Sequence, residues 1–302
     1  MRNNQSFDAL AIIRRACALL ALFLAAAFFT GCGEKGEEDL LKGKAAYNTS
    51  NYQTAAMHFT IAAEQGNTEA QYWLGKCYDD GKGVKEDQFE AAKWYRKAAE
   101  KGNADAQFEL GGCYAGGDGV DEDCAEALKW YKKAANQGNA EAQYEMGALY
   151  EYGRCGLSKD MSEAVKWWRK AAENGHAYAQ ERLGECYAKG NGVSIDAAEA
   201  VKWWGKAAGR TSQPFYIYKK LGILYESGGV GLERDYAEAV KWYHKAFEEQ
   251  YPLYYAKEVY ERLGFLYEIG GYGLEKDLHE ALIWYDNAKD QRSFDRVFDK
   301  IK

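Results

Sequence analysis

The sequence predicts an all-α protein built from repeated helix pairs. Its 302 residues include only two prolines, and 47% of them are apolar and 15% aromatic, which favours packed helices over disorder. Apolar residues recur at helical spacing. A Leu-Gly or Met-Gly pair returns every 36 to 42 residues. The 32 glycines are then most simply explained as turns that recur with the repeat.

Two landmarks define each repeat, a Leu-Gly or Met-Gly pair in its first helix and a tryptophan in its second. The pairs are Leu74-Gly75, Leu110-Gly111, Met146-Gly147, Leu183-Gly184, Leu221-Gly222 and Leu263-Gly264. The tryptophans follow at Trp94, Trp130, Trp167, Trp203, Trp242 and Trp284. A period near 36 with two helical segments predicts an α-solenoid of about six full repeats and a partial one at the N-terminus.

Each second helix is predicted to begin at an Asp that is followed three residues later by a Glu. In such a capping box the Asp accepts from free backbone N–H groups, and the Glu binds back to the N–H of the Asp. The six pairs are Asp87 and Glu90, Asp123 and Glu126, Asp160 and Glu163, Asp196 and Glu199, Asp235 and Glu238, and Asp277 and Glu280. Glycines before each cap predict a tight turn with positive φ.

The motif Ala-x-Ala-Gln-Tyr-x-Leu-Gly, a Gly-x-Gly-Val loop and Glu-Ala-x-Lys-Trp-Tyr-x-Lys-Ala-Ala together resemble the Sel-1-like repeats, relatives of the tetratricopeptide repeats. The resemblance is clearest at 68–103 and 104–139. It implies a right-handed superhelix of antiparallel helix pairs that holds proteins together in envelope or signalling complexes. We interpret 39–67 as a partial tetratricopeptide-like unit, 68–291 as six Sel-1-like repeats and 292–302 as a capping helix.

The N-terminus has the layout of an export signal. Three arginines precede an unbroken apolar run over 16–29, which is too short to span a bilayer comfortably. The small residues before Cys32 resemble a bacterial lipoprotein signal, which implies that 1–31 is removed and Cys32 is lipidated. Residues 32–38 are then a polar tether, and the protein is expected on a membrane of the cell envelope, facing the periplasm or the exterior. An uncleaved anchor is the alternative.

The remaining patterns predict no catalytic chemistry. The formal net charge of −7 argues against nucleic acid as a partner, because binding it needs a basic face. The four histidines lie in different repeats without matching ligands, so no metal site is predicted. Glycine-rich stretches lack the Gly-Lys-Ser/Thr of a phosphate loop, and no serine lies in a nucleophile elbow. We therefore predict no cofactor and no small-molecule substrate.

A binding surface is predicted on the first helices, because packing in such solenoids leaves some of their residues free. We project the positions five and two before each Leu or Met, and two, five and six after it. The candidates are Glu69, Tyr72, Asp79, Asp80, Asp105, Phe108, Glu141, Tyr144, Glu151, Tyr152, Tyr178, Glu181, Glu185, Tyr216 and Glu226, together with Lys76, Lys219, Glu258, Glu261 and Glu268. Carboxylates among aromatic rings suit a protein segment that carries Lys or Arg. A packed or merely solvated face is the alternative.

Cysteine spacing gives two further expectations. Cys77, Cys113 and Cys186 share one repeat position, which predicts a small buried side chain. Cys113 and Cys124 flank one turn, so a disulfide between them is a hypothesis for a protein of an oxidising compartment.

Three classes of function stay open from these patterns. We favour a non-enzymatic, membrane-anchored scaffold for protein partners, because every recurrent residue is used by caps, turns or packing. The rivals are an envelope enzyme, such as a cell-wall hydrolase or a β-lactam-binding protein, and a plain spacer or assembly factor.

Overall fold

The computed structural model describes residues 36–248 and 252–302. Over these residues the chain forms fifteen helices and no strand; the only bridges among them are two isolated ones in loops, Gly229 with Leu232 and Gly271 with Leu274. The predicted all-α helical-repeat fold is confirmed. The predicted signal segment and the lipidation site Cys32 lie outside the described residues.

The first compact unit is described from residue 36 to Gln137 and contains six helices. They are α1 (36–48), α2 (Tyr52–Glu64), α3 (Thr68–Asp80), α4 (Gln88–Glu100), α5 (Ala104–Gly116) and α6 (Cys124–Asn136). Residues 36–38 were assigned to the tether but belong to α1, so that part of the prediction is wrong. Within this part of the helix Glu38 pairs with Lys42 one turn later, at 2.5 Å, which adds a small stabilisation, and Gly36 is buried.

The second compact unit, Gly138–Lys302, contains nine helices in its described part. They are α7 (Ala140–Tyr152), α8 (Met161–Glu173), α9 (Ala177–Lys189), α10 (Ala197–Ala207), α11 (Pro214–Ser227), α12 (Tyr236–Glu248), α13 (Leu253–Ile269), α14 (Leu278–Asn287) and α15 (Gln291–Ile301). Pro214 starts α11, where its missing N–H costs no helical hydrogen bond.

The glycine of each Leu-Gly or Met-Gly pair receives an aromatic ring from the second helix of the same repeat. A Cβ atom added to Gly75 would lie 2.7 Å from Cδ1 of Tyr95, closer than real Cβ contacts allow. The same arrangement recurs at Gly43 with Phe59, Gly111 with Tyr131, Gly147 with Trp168, Gly184 with Trp204, Gly222 with Tyr243 and Gly264 with Tyr285. The two helices of a repeat can therefore approach closely while the ring fills the space between them.

Of the two bonds predicted for each capping box, the one accepted by Asp is confirmed and the one accepted by Glu is not. Asp123 accepts from the N–H groups of Ala125 and Glu126, at 2.9 and 3.1 Å. Equivalent bonds are made by Asp87, Asp160, Asp196, Asp235 and Asp277. The predicted bond from the Asp N–H to the Glu side chain is wrong. The N–H of Asp123 donates instead to the carbonyl of Tyr114 at 2.9 Å, and Glu126 pairs with Lys129 at 2.7 Å. Because the Asp N–H already has a partner, the Glu is left to bind the lysine.

The structure confirms the buried cysteines predicted at one repeat position and contradicts the predicted disulfide. Cys77, Cys113 and Cys186 are free and buried, as their shared position predicts. Cys124 is disulfide-bonded, and so is Cys155, so the disulfide predicted between Cys113 and Cys124 is wrong. The physical reason is burial: Cys113 lies in the core, whereas Cys124 is exposed at the start of α6.

The last helix, α15, lies at the position of the predicted cap. Val297 is fully buried against α14, and Phe294 is partly buried with it. Phe298 stacks on Phe294 with ring centroids 6.0 Å apart but stays 42% exposed, and Ile301 is also exposed. Only half of the apolar face of α15 is therefore covered in the described chain.

Candidate functional site

Candidate surface residues converge on α3 of the first unit. The ring of Tyr72 lies 6.1 Å from that of Tyr95 and 5.7 Å from that of Trp73, measured between centroids. Tyr95 donates a hydrogen bond of 3.1 Å to Oδ2 of Asp79. Both Tyr72 and Asp79 are half-buried, so the neighbouring side chains hold the rings and the carboxylate in place.

Glu109 on α5 belongs to the same surface, although the projection from the sequence missed it. Burial raises the pKa of its carboxyl group. Lys76 opposes this shift, but burial and the nearby carboxylates of Asp79 and Asp105 outweigh it. Within the described residues the Glu109 carboxylate has no hydrogen bond or ion pair. Its charge is therefore not neutralised by a contacting cation, on a surface that already carries other carboxylates.

Tyr72 shows that α3 and α5 share this surface. Burial raises the pKa of its hydroxyl, and Glu109 and Asp105, both on α5, raise it further. We call the group formed by Tyr72, Asp79, Asp105 and Glu109 the α3/α5 surface. It joins residues of two repeats into one acidic patch beside an aromatic ring.

Three other candidates of the first unit are used within the chain. Glu69 forms an ion pair with Lys44, and Asp80 pairs with Lys82 at 2.9 Å. Phe108 packs against Tyr131, with ring centroids 5.7 Å apart. These residues border the α3/α5 surface without adding free charge to it.

In the second unit, basic residues neutralise most of the predicted acidic positions. Arg182 pairs with Glu151 and, at 3.1 Å, with Glu185. Lys220 pairs with Glu181 at 3.2 Å and with Glu185 at 2.7 Å. The predicted acidic surface is thus internally paired here, and the signal was visible in the sequence as a basic residue directly before Leu183 or Leu221.

The same pairing continues along α11 and α13. Arg262 binds Glu226 at 3.0 Å and Glu258 at 3.1 Å, and Lys219 also pairs with Glu258. Burial would raise the pKa of Glu258, but bonds from Lys219 and Arg262 hold it below its ordinary value. Two last candidates are paired as well, Glu261 with Lys257 at 3.6 Å and Glu268 with Arg296 at 2.6 Å.

His176 brings three other candidates together and was not singled out from the sequence. Its Nδ1 accepts from the N–H of Ala179 at 3.1 Å, so the neutral ring carries its proton on Nε2, which donates to Glu141 at 2.9 Å. The ring stacks on Tyr144 at 4.6 Å and lies 6.2 Å from Tyr178. The available signal was a histidine at the helix start where earlier repeats have Asn67, Asn103 and Asn139.

The two remaining aromatic candidates lie apart from this cluster. Tyr152 is 60% exposed, with the guanidinium of Arg154 5.0 Å from its ring centroid. Tyr216 packs edge-on against Phe215 at 5.3 Å.

Neither a membrane-spanning helix nor a metal-binding group occurs in the part of the chain that the structure describes. None of its helices combines the length and the apolar character needed to cross a bilayer. Nor do its His, Cys, Asp and Glu side chains gather in groups of three that could hold a metal ion.

Comparison with known proteins agrees with the repeat pattern. The family model described as Sel1 repeat matches residues 40–67, 68–103, 104–139, 140–176, 177–210, 218–251 and 258–293. The first of these segments is the one interpreted from the sequence as a partial tetratricopeptide-like unit.

Solved structures and one curated relative add to this. A Sel1 repeat protein from Oxalobacter formigenes is 35% identical, with a TM-score of 0.62, over 83% of this chain and 99% of that one. A protective antigen of uropathogenic Escherichia coli strains, which displays an SLR fold, is 30% identical, with a TM-score of 0.62, over 89% of this chain and 64% of its own. An exopolysaccharide production negative regulator from Rhizobium leguminosarum bv. viciae is 41% identical over 63 residues, which are 20% of this chain. The chain thus spans about a quarter (24%) of that relative's length.

Proposed function

The chain belongs to the Sel1 repeat family, whose members generally mediate protein–protein interactions, and we propose that it is a non-enzymatic scaffold holding a protein partner in the bacterial cell envelope. The observation that carries this proposal is the α3/α5 surface. There the carboxylate of Glu109 lies near both the half-buried ring of Tyr72 and the carboxylate of Asp79, and Glu109 has no ion pair among the described residues.

The partner segment is basic in this proposal. Opposite charges steer two proteins together, and an aromatic ring beside the carboxylates adds cation–π attraction for Lys or Arg. The ion pairs of Arg182, Lys220 and Arg262 leave the second unit less able to compete for such a segment. The first unit is therefore the expected docking region.

The position in the envelope is supported by the leader. An apolar run over 16–29 ahead of Cys32 fits export and lipid attachment, and several acyl chains hold a protein stably on a membrane. The segment shared with the exopolysaccharide production negative regulator fits a role in envelope signalling or complex assembly. A Cys32→Ser variant is expected to leave the membrane fraction. Retention of that variant in the membrane fraction would argue against the lipid anchor.

Photo-cross-linking in intact cells tests the scaffold itself. A photoreactive amino acid replaces Tyr72 on the α3/α5 surface, and in a matched control it replaces Phe89, which is 75% exposed on α4. We expect one protein to cross-link from position 72 but not from 89, through a segment that mass spectrometry identifies as rich in Lys or Arg. Equal labelling from both positions, or an acidic cross-linked segment, contradicts the proposal.

A further inference from the structure

The last repeats contain a recurring group of a tyrosine, a carboxylate and an arginine. Tyr243 on α12 donates a hydrogen bond of 2.6 Å to Oε2 of Glu226 on α11. Arg262, which comes from the next helix pair, donates to the same oxygen at 3.0 Å. The half-buried carboxylate is thus held by one neutral donor from its own repeat and one cation from the following helix.

The same group is repeated one step later. Tyr285 on α14 donates to Oε2 of Glu268 at 2.9 Å, and Arg296 on α15 donates to that oxygen at 2.6 Å. The guanidinium of Arg296 also lies 6.0 Å from the centroid of the Tyr285 ring. Arg262 and Arg296 occupy equivalent positions, because each directly precedes a fully buried apolar residue, Leu263 or Val297.

The first unit has the first two members of this group but not the third. Tyr95 on α4 donates to Asp79 on α3 at 3.1 Å, as Tyr243 does to Glu226. The residue that directly precedes the buried Leu110 is not an arginine but Glu109. The position that holds Arg262 and Arg296 in the last repeats therefore holds a second carboxylate here.

We propose that this position of the α3/α5 surface is a binding site for an arginine side chain of the protein partner, whose guanidinium bridges Asp79 and Glu109 beside the ring of Tyr72. The inference rests on the proposed scaffold function and names what its partner presents. A planar guanidinium can donate to two carboxylates at once. The ring of Tyr95 is only 1% exposed, so the guest meets the two carboxylates and Tyr72 rather than Tyr95.

Arginine fits better than lysine for a reason visible in the other repeats. Where the carboxylate is bound by a tyrosine, at Tyr243 and Tyr285, the cation is an arginine. Where the second helix presents a tryptophan at that position, the cation is Arg182, 4.8 Å from the centroid of the Trp168 ring, or Lys220, 5.5 Å from that of Trp204. Both repeats that present a tyrosine use an arginine, so the first unit, which presents Tyr95, should select arginine.

Two alternative occupants are less consistent with the surroundings. A metal ion held by three protein side chains has no place here, because the described residues contain no such group of His, Cys, Asp and Glu. Lys76 is the nearby cation of the chain itself, since it lowers the pKa of Glu109, but it forms no ion pair with any described residue. The site is thus acidic, partly desolvated and without a cation in contact.

Three fluorescently labelled Gly-Ser peptides test the proposal against the full-length protein. They differ only in one central residue, which is arginine, lysine or citrulline, the uncharged analogue of arginine. By fluorescence anisotropy the arginine peptide is expected to bind about tenfold more tightly than the citrulline peptide, as loss of a charge-assisted bond implies. Lysine should fall between them. Equal binding of the arginine and citrulline peptides, tighter binding of lysine, or no binding of the arginine peptide overturns the proposal.

Variants of the protein locate the site. Glu109→Arg supplies the missing cation from within the chain, as Arg262 does, and should both abolish binding of the arginine peptide and raise the melting temperature. Glu109→Gln should weaken binding while keeping the fold, and Glu122→Arg, at an exposed loop residue, is the control of equal charge change and should bind normally. Unchanged peptide binding by Glu109→Arg overturns the arginine site.

Cross-linking from position 72 in the Glu109→Arg background separates this inference from the scaffold proposal. Loss of peptide binding together with loss of the partner cross-link supports both. A partner cross-link that persists while wild type shows no preference for arginine keeps the scaffold and rejects the arginine site. Absence of any cross-link in wild type rejects the scaffold itself, whatever the peptides do.

Discussion

Tyr285 and Glu268, on neighbouring helices, are joined by a buried hydrogen bond of 2.9 Å. Arg296 and Lys300 reach the same carboxylate, at 2.6 and 2.7 Å. Burial alone would raise the pKa of Glu268, but the bonds from Lys300, Arg296 and Tyr285 outweigh it and hold the pKa below its ordinary value. The carboxylate therefore connects α15 to the rest of the second unit and stabilises it only while it is ionised.

This network predicts a loss of stability in acid. Because the pKa of Glu268 is lowered on folding, its contribution is fully present above the unfolded pKa of about 4.3 and is lost as the pH falls through the folded pKa. Glu268→Gln should lower the free energy of unfolding by about 2 kcal/mol at neutral pH and by much less in acid. Urea unfolding at both pH values measures the difference, with the exposed Glu275→Gln as control. A loss that is equal at both pH values would contradict the network.

Glu109 predicts the opposite dependence on pH. Its pKa is raised on folding, so ionising it costs stability as the pH rises from about 4.3 to the folded pKa. Glu109→Gln should therefore stabilise the protein at neutral pH and have little effect in acid. Thermal unfolding across this range tests the sign. Destabilisation at neutral pH, or the same gain from Glu122→Gln at an exposed loop position, would refute it.

Two adjacent glycines of α5 are predicted to respond to alanine with opposite signs. At Gly111 a Cβ would lie 2.7 Å from Cδ1 of Tyr131, and such overpacking costs about 1–3 kcal/mol. At Gly112 the nearest atom is the Tyr131 hydroxyl at 3.8 Å, an ordinary contact, so alanine should gain up to about 1 kcal/mol of helix propensity. Denaturant unfolding of the two variants checks this directly. Similar effects at both positions would rule out the ring contact as the reason for the Leu-Gly motif.

Removal of one cap should weaken the start of α6. Asp123→Ala deletes the acceptor for the N–H groups of Ala125 and Glu126 and should cost about 1 kcal/mol. Asp121→Ala, two residues earlier in the exposed loop, removes the same charge without removing a cap and is the matched control. A comparable loss in both variants, measured by thermal unfolding, would show that loop charge rather than capping is responsible.

The thiols give a chemical test of burial. Burial raises the pKa of Cys113 to about 12 and that of Cys77 and Cys186 to about 11, so little thiolate exists near neutral pH. These three cysteines should react with iodoacetamide only after unfolding, whereas Cys124 and Cys155 should react only after reduction as well. Peptide mass spectrometry resolves each site. Rapid labelling of Cys113 in the native protein would contradict its burial.

The sequence was most informative where a contact recurs at a fixed spacing. The pairing of Gly75 with Tyr95 and the cap at Asp123 are both short in sequence and present in every full repeat, so their pattern stands out. The return bond from Glu126 was mispredicted because the carbonyl that satisfies the Asp123 N–H comes from Tyr114, across the loop.

The candidate surface was only partly predictable for a related reason. Its ion pairs, such as that of Arg262 with Glu226, join different repeats, and a projection made within one repeat does not show them. Glu109 was missed because the position directly before the buried leucine was not among the positions projected from the sequence. That position supplies the neutralising Arg262 in the repeat of Leu263 and a further carboxylate in the repeat of Leu110.

The contact between Gly184 and Trp204 has a consequence for how such a chain can change over generations. Both partners lie in one repeat, about twenty positions apart. Duplication of one whole repeat therefore copies both residues of this contact. Deletion of one whole repeat removes both, so neither is left without its partner. Array length can vary in this way while each copy keeps its close fit, and the residue before the leucine remains free to diverge.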